Sequence, residues 1–486
     1  MRNLRFVPVA ATTAALLLAL AATACDSSDP SPSDTASDPA TEVADVPVAD
    51  EGVGTEDTTS PDLPADDTAG EASPEDAAEV GELPGDDATD VPVEVHVPAC
   101  VGTPGQPAWP KDSDATFLRG PYVQDVRDDH AFIVFRPATP MADPGCVTWE
   151  VEGVAAAVAP KACVDADAYG QYAVRIDGLP PDTAVTYSVS VGTTMAAGPL
   201  TFRSAPPLDR PQRLMVVADI HSNPDRTANV LSKIVDRALA AGVDYAVTVG
   251  DHVDQPEETQ FNDLFAGLRA MLHRVPVFAT IGNHEARSPN YFEAFVLPEA
   301  DPPDALSGEL YYSMRRGNTW IGVLELIDWQ VAWYAGGEPF GQVEWLAREL
   351  DSEAARSARW RLLFIHEPPW CVGWGHCDEP QYHGEEALRD LLVPMARDKG
   401  VSVIFSGHMH GYERGAMEGV QLVVAGGGGG GLDHACSIPE GLPDPWESDY
   451  VHHSLVVETG CDALTLVATD IDGNEIDGFT LPYAGL

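Results

Sequence analysis

The sequence predicts an α/β domain, preceded by an all-β sandwich and, before that, by a disordered acidic tail. Three observations carry this reading. Between 212 and 484 apolar runs of strand length alternate with amphipathic helical patterns, and such alternation implies α/β layering. Between 112 and 205 short runs of strand formers are parted by Pro, Gly and Asp, the spacing of a sandwich. Between 26 and 98 stand 22 Asp or Glu, no Lys or Arg and no aromatic residue, a composition that cannot bury a core.

From the start of the chain, Arg2 and Arg5 precede an apolar stretch from Phe6 to Ala22 and then Ala22-Thr23-Ala24-Cys25. Residues 1–25 thus predict an export signal, either cut after Ala-x-Ala or resembling a bacterial lipobox with Cys25 as the lipidated first residue. The stretch is too short and too early for a lasting membrane span. The polar tail favours the lipoprotein, a bacterial cell-envelope protein touching the membrane through Cys25; the alternative is a secreted or periplasmic protein. Residues 26–98 then form a self-repelling spacer of roughly 50 Å root-mean-square reach.

In 112–205 the predicted strands are Ala131–Phe135, Cys146–Val151, Tyr172–Ile176 and Val185–Val191. No His or carboxylate cluster converges there, so a supporting role is expected. Ser204–Pro211 is a proline-rich boundary. Beyond it the predicted helical faces include Val230-Leu231, Ile234-Val235 and Ala238-Leu239, then Phe261, Leu264-Phe265, Leu268 and Leu272. Val343–Leu350 and Ala387–Ala396 continue the pattern, and Leu455–Leu481 returns to β with a turn at Asp472-Gly473-Asn474.

Chemistry gathers at the ends of five predicted strands. Leu214–Ala218 leads into Asp219-Ile220-His221, and Tyr245–Val249 into Gly250-Asp251-His252-Val253-Asp254. Val277–Ile281 leads into Gly282-Asn283-His284-Glu285, Leu362–Ile365 into His366, and Val401–Phe405 into Ser406-Gly407-His408-Met409-His410. Ligands of open α/β sheets gather beyond the carboxyl ends of strands, and a carboxylate there has two oxygens, enough to bridge two metal ions. Residues two apart on an extended chain point the same way, so Asp219 with His221, and His408 with His410, are expected to face one cavity. Gly426–Gly431 lacks the Lys-Ser or Lys-Thr of a phosphate-binding loop and reads as a close-approach turn.

Charge and cysteines bound partners and compartment. The 486 residues carry 77 acidic and 27 basic side chains; without the acidic tail and the two N-terminal arginines, 99–486 keeps 55 acidic against 25 basic. Neither tail nor body offers a basic surface, so no nucleic acid binding is expected. Cys100, Cys146, Cys163, Cys371, Cys377, Cys436 and Cys461 follow Cys25, and export makes disulfides the default. Seven is odd, so one stays unpaired. Cys146 with Cys163, Cys371 with Cys377 and Cys436 with Cys461 are the pairings considered, although spacing does not fix connectivity.

The order Asp-x-His, Gly-Asp-x-x-Asp, Gly-Asn-His-Glu, lone His and Gly-His-x-His over 219–410 resembles the calcineurin-like metallophosphoesterases. Gly407-His408-Met409-His410-Gly411-Tyr412-Glu413-Arg414 resembles their purple acid phosphatase branch, as does a front domain whose Gly178–Thr183 and Tyr187 resemble a fibronectin type III corner. The resemblance implies a four-layer α/β metallophosphoesterase sandwich over 212–484 behind a fibronectin-like domain over 112–205. It also implies two divalent or mixed-valence transition metal ions, Fe, Zn or Mn, a choice that imidazole and carboxylate donors do not make. One metal would take Asp219, His221, Asp251 and His410, the other Asp251, Asn283, His366 and His408, with Asp251 bridging.

The activity implied is hydrolysis of small phosphomonoesters by metal-bound hydroxide, with His284 as general acid; a phosphodiesterase or nucleotide pyrophosphatase on the same site is the alternative. A rival of another class is a non-catalytic surface protein that binds through its β-sandwich, which degenerate ligands would favour. His376 and His383, in the loop after His366, are the candidate substrate contacts, with Cys371 and Cys377 clamping the loop. Tyr412, Glu413 and Arg414 read as an aromatic and an ion pair beneath the site, and His252 and Glu285 as neighbours of ligands. The chain departs from the purple enzymes, which resemble it but have glycine where His221 stands and a metal-binding tyrosine where Asp254 stands. Asp254 then reads as a hydrogen-bond partner of a ligand, and no purple colour is expected.

Overall fold

The computed structural model describes residues 96–484 except 111–115, 157, 225–226, 299–308, 339–340, 375–381, 439 and 445. The expected leader, Cys25, the acidic tail as far as 95, His376 and Cys377 lie outside the described residues. No helix among the described residues is long and apolar enough to cross a membrane.

The first strands are β1 (Arg119–Gln124), β2 (His130–Arg136), β3 (Gly145–Val151), β4 (Lys161–Val164), β5 (Tyr172–Asp177), β6 (Ala184–Val191) and β7 (Met195–Arg203). They form a three-stranded sheet, β1-β2-β5, and a four-stranded sheet, β4-β3-β6-β7. Along β6 the residues Val185, Tyr187, Val189 and Val191 are buried and their neighbours are not, the two-residue period of a strand with one covered face. Both sheets share a core of such residues, including Ile133, Phe135, Val147 and Tyr172. Cys146 and Cys163 face each other across β3 and β4 and are bonded, as their spacing suggested.

Next come β8 (Gln212–Val217), α1 (Ala228–Ala241), β9 (Tyr245–Val249), α2 (Glu258–Leu272), β10 (Val277–Thr280), α3 (Pro289–Ala294), β11 (Tyr312–Arg316) and β12 (Thr319–Val323). They are followed by α4 (Ile327–Tyr334), α5 (Gly341–Asp351), α6 (Glu353–Arg356), β13 (Trp360–Phe364), a π-helical turn over Leu388–Leu392, α7 (Val393–Asp398) and β14 (Val403–Ser406). The chain ends in β15 (Tyr412–Met417), β16 (Val420–Ala425), β17 (Glu447–Asp449), β18 (His453–Thr459), β19 (Ala463–Asp470) and β20 (Glu475–Pro482). Two mixed sheets result, ordered β10-β9-β8-β18-β19-β20 and β11-β12-β13-β14-β16-β15-β17. Their parallel strands β9, β13 and β14 are buried at every position, as parallel strands covered on both faces must be. The apolar faces of α1 and α2 join both sheets in one core. Ala218 N donates to Ala425 O at 2.9 Å, so the end of β8 is tied to the end of β16 in the other sheet.

The front β-region is fused to the α/β region through buried polar contacts. Arg119, 0% exposed, donates through Nη1 to Glu293 on α3 at 2.6 Å and through Nε to Asn262 on α2 at 2.6 Å. Tyr122 OH donates to Ala294 O at 2.8 Å, and Arg269 donates to the carbonyls of Phe117, Leu118 and Gly120.

Two expected disulfides are corrected. Cys461 lies in the turn between β18 and β19 and is bonded to Cys100, 361 residues away in sequence, their Cα atoms 5.3 Å apart. Cys371 is a buried free thiol packed against Met409 and Val424. Cys436 is disulfide-bonded, to a partner outside the described residues. Closeness in sequence decided the Cys146–Cys163 hairpin pair, whereas Cys100–Cys461 joins segments 361 residues apart.

Removing one member of a buried ion pair leaves the other charge without compensation, and this costs far more than losing an exposed pair. Glu293→Ala is expected to lower unfolding free energy by about 3–5 kcal/mol in urea titrations. Glu258→Ala, whose side chain is 45% exposed opposite Arg136, is expected to cost under about 1 kcal/mol.

Candidate metal centre

The backbone turns sharply where the strands end. Asp219, His221, Asp251 and His408 have φ of 57°, 45°, 50° and 68°, in the left-handed region that non-glycine residues avoid. This corrects the expectation of an extended chain whose residues two apart share a face. Asp219 and His221 do meet in one cavity, but through left-handed turns that re-aim each side chain. Such conformations cost of order 1–3 kcal/mol each and persist only where surroundings over-determine them. Here Asp219 N bonds Gly250 O at 3.1 Å, His221 N bonds Asp251 O at 3.0 Å, and Ser222 N bonds His252 O at 2.8 Å, zipping the loops after β8 and β9 together.

Two close approaches explain the glycines. A Cβ on Gly250, itself at φ 81°, would lie 2.3 Å from Nδ1 of His366. In the run from Gly426 to Gly431, Gly428 N donates to Ala218 O and Gly430 N to Asp219 O, both at 2.9 Å, and a Cβ on Gly426 would meet Met409 O at 1.9 Å. The run is a close-approach turn wrapped under Asp219, as its composition suggested.

Seven side chains named from sequence converge. His221 Nε2 lies 3.1 Å from His410 Nε2, 3.9 Å from Asp219 Oδ1 and 3.6 Å from Asp251 Oδ2. His366 Nε2 lies 3.2 Å from Asp251 Oδ2 and 3.0 Å from Asn283 Oδ1, and His408 Nδ1 is also 3.0 Å from Asn283 Oδ1. Three groups of donors are close enough to hold a cation: Asp219, His221 and His410; His221, Asp251 and His284; and Asp251, His366 and His408. Asp219, Asp251, His221 and His366 are buried, while Asn283 is exposed and opens the cluster to solvent.

The chemistry of this donor set fits metal ions. His221 Nδ1 sits 3.0 Å from Asp254 Oδ1, His366 Nδ1 2.8 Å from Val249 O, and His410 Nδ1 against Gly431 O. These acceptors hold the ring proton on Nδ1, so each Nε2 turns a lone pair into the cluster. Lone pairs of His221 and His410 facing each other at 3.1 Å repel unless a cation lies between them. Electrostatics points the same way. At Asp251 burial opposes ionisation, yet the imidazoles of His366, His221 and His284 hold its carboxyl well below the usual range. Burial works against charge on His410 too, but Asp219, Asp433 and the Gly431 carbonyl lift it to about 9, so without a metal this ring takes a second proton at Nε2, the place where a cation would sit. Burial and the neighbouring His366 lower His408 to about 3.

Groups around the donors fix them in place. The buried carboxylate of Glu285 accepts from the backbone N–H of Asp251 at 3.0 Å, His252 at 2.8 Å and Gly282 at 2.8 Å. Asp254 holds His221 through its carboxylate and His284 Nδ1 through its carbonyl at 2.7 Å. His284 Nε2 stands 3.9 Å from Asp251 Oδ2 at the edge of the cluster, its side chain 29% exposed. The expected pair of Glu413 and Arg414 is corrected. Arg414 pairs with Asp477, as does the Tyr412 hydroxyl at 2.6 Å, while buried Glu413 accepts from Val372 N, Gly373 N and Trp446 Nε1. Side chains of neighbouring residues on β15 point to opposite faces of the sheet, which separates the two partners.

His383 lines a cavity next to Tyr382 and belongs to none of the three donor groups. Two contributions escaped the sequence reading. Asp433 accepts from His410 N at 2.7 Å, and the rings of Trp374 and Tyr382 pack 5.4 and 5.1 Å from that of His408. Neither lies at a strand end or in a short repeat, so no local signal marked them.

Residues 212–412 match the family model described as calcineurin-like phosphoesterase. The chain is 26% identical over 317 residues to purple acid phosphatase 15 of Arabidopsis thaliana, covering 56% of this chain and 58% of that protein. It is 24% identical over 345 residues to a nucleotide pyrophosphatase/phosphodiesterase of Hordeum vulgare, covering 60% of this chain and 90% of the relative. Among solved structures, a purple acid phosphatase from yellow lupin (Lupinus luteus) seeds shares the fold at TM-score 0.62 and 17% identity, over 74% of each chain.

Glu285 reaches the cluster through backbone alone, its carboxylate bonding the N–H groups of Asp251, His252 and Gly282. Glu285→Ala leaves three buried N–H groups without their acceptor and is expected to cost about 3 kcal/mol or more, with Glu285→Gln costing roughly half as much. Elemental analysis of both should find less bound metal than in the unaltered chain, in the same order; undiminished metal in Glu285→Ala would show that the loops hold their shape without it.

Proposed function

We propose that this chain, whose residues 212–412 form a calcineurin-like phosphoesterase domain, is a metal-dependent phosphoesterase of the purple acid phosphatase-like kind. One observation carries the reading: Asp251 Oδ2 lies within 3.6 Å of His221 Nε2 and 3.2 Å of His366 Nε2, so one buried carboxylate serves two donor groups. Asp219, His221, Asp251 and His410 would hold one cation, and Asp251, Asn283, His366 and His408 the other. Bound there, a pair of transition-metal ions supplies Lewis acidity toward phosphoryl oxygens and acidifies water.

The chain's own residues do the rest. Asn283 and half-buried His284 stand on the open side, where a phosphate ester approaches. His284, with Nδ1 anchored to the Asp254 carbonyl, presents Nε2 to the departing alkoxide; as general acid it delivers the proton from Nε2 to the leaving oxygen and regains one from water. Small phosphomonoesters are the substrates of this reading. Export accords with the disulfides Cys100–Cys461 and Cys146–Cys163, since such bonds persist in oxidising compartments.

The full chain purified without chelator should carry two metal equivalents by elemental analysis and hydrolyse p-nitrophenyl phosphate faster than bis(p-nitrophenyl) phosphate; the reverse order would make it a phosphodiesterase. Asp251→Asn should lower metal content and turnover together, and unchanged turnover would remove Asp251 from its bridging place. His284→Ala should keep both metals while kcat falls by about 10²–10⁴, most for poor leaving groups; loss of metal instead would make His284 a ligand. Because Asp254, bonded to His221, stands where the purple enzymes have their metal-binding tyrosine, the iron-loaded chain should show no tyrosinate charge-transfer band in the visible spectrum.

A further inference from the structure

A cavity of about 790 Å³ adjoins the donor cluster. Tyr382 is the shared wall: its ring lines the cavity and packs 5.1 Å from that of His408. Trp333 and Tyr334, at the end of α4, stand edge to face with ring centres 5.1 Å apart, and Trp370 adds another aromatic surface. Glu385 and Glu386 supply carboxylates. The lining's basic side chain, Arg389, is already engaged: its guanidinium lies 4.3 Å over the Trp370 ring, donates to the carbonyls of Pro369 at 2.8 Å and His383 at 3.2 Å, and stands 3.8 Å from Glu386. The mouth is open, with Tyr334 72% and Ile438 77% exposed.

Aromatic faces beside carboxylates bind organic cations, because the ring quadrupole and the negative charge act in the same direction. The rest of the chain argues against anions. With 55 acidic against 25 basic side chains in 99–486, the protein repels polyphosphates and nucleic acids, whereas an ester that carries its own positive charge approaches without that penalty. We infer that the cavity receives the alcohol part of a phosphate ester bearing a quaternary ammonium group, held between Tyr334, Trp333 and Tyr382 with Glu385 facing the charge. Hydrolysis of such an ester rests on the phosphoesterase reading above; recognition of the cation does not.

Calorimetry on the full chain, and on Asp251→Asn to remove turnover, would compare choline with 3,3-dimethylbutan-1-ol, the same shape with carbon in place of the charged nitrogen. Choline should bind saturably and about tenfold more tightly than the alcohol. Tyr334→Ala, at a position too exposed to threaten folding, should weaken choline about fivefold, and Glu385→Gln should weaken choline while leaving the alcohol unchanged. No choline binding, or equal affinity for the two, would overturn the inference. In turnover, kcat/KM for phosphocholine should exceed that for 3,3-dimethylbutyl phosphate about tenfold, and a ratio near one would overturn the substrate class. Intact choline selectivity with neither ester hydrolysed would support the cavity and count against the phosphoesterase reading instead.

Discussion

The buried carboxylate of Asp251 between His221 and His366 sets the terms for everything around it. An ionised group with 1% exposure is tolerated only if positive charge and hydrogen bonds surround it. A cation held by the surrounding donors would supply the first, and His284 N, which donates to Oδ1 at 3.0 Å, supplies part of the second. Its own φ of 50° is the cost of pointing the carboxylate into the cluster rather than into the sheet. Glu285, fully buried itself, holds that strained loop by its N–H groups, and Gly250 lets His366 come close enough to reach the oxygen. Glu285, Gly250 and the ladder between the loops after β8 and β9 thus serve one geometric end.

The front β-region bears on the same site at one remove. Helix α3 begins four residues after Glu285, and the β-region holds it through Arg119 on Glu293 and the Tyr122 hydroxyl on Ala294 O. The loop carrying Asn283, His284 and Glu285 is therefore fixed at one end by β10 and at the other by a helix clamped from outside the α/β region. The contact between the two regions takes a specific physical form: buried charge pairing of Arg119 and Arg136 with Glu293.

Much of this was legible locally. Apolar runs of strand length ending in Asp, Asn or His located β8, β9, β10, β13 and β14 and the seven polar side chains that converge at their ends, because parallel strands buried on both faces must be apolar throughout and must end where polar groups reach an opening. Helical faces such as Val230-Leu231, Ile234-Val235 and Ala238-Leu239 in α1 were equally visible as a period. The disulfide of Cys100 with Cys461 was not, nor the service of Glu413 to the 372–373 backbone, nor Asp433 beneath His410. Each joins segments that no periodicity links.

The sequence by itself determined the kinds of donor, their order and the strands that carry them, since these follow from residue chemistry and from spacing along one chain. The tertiary structure alone decided how the donors face one another. Left-handed turns at Asp219, His221, Asp251 and His408 are strained conformations that no local preference would select, and only loops stitched across two sheets can hold them. Partner choice was decided in the same way, Arg414 going to Asp477 and Cys461 to Cys100, because contact depends on which surfaces fold together and separation along the chain says little about that.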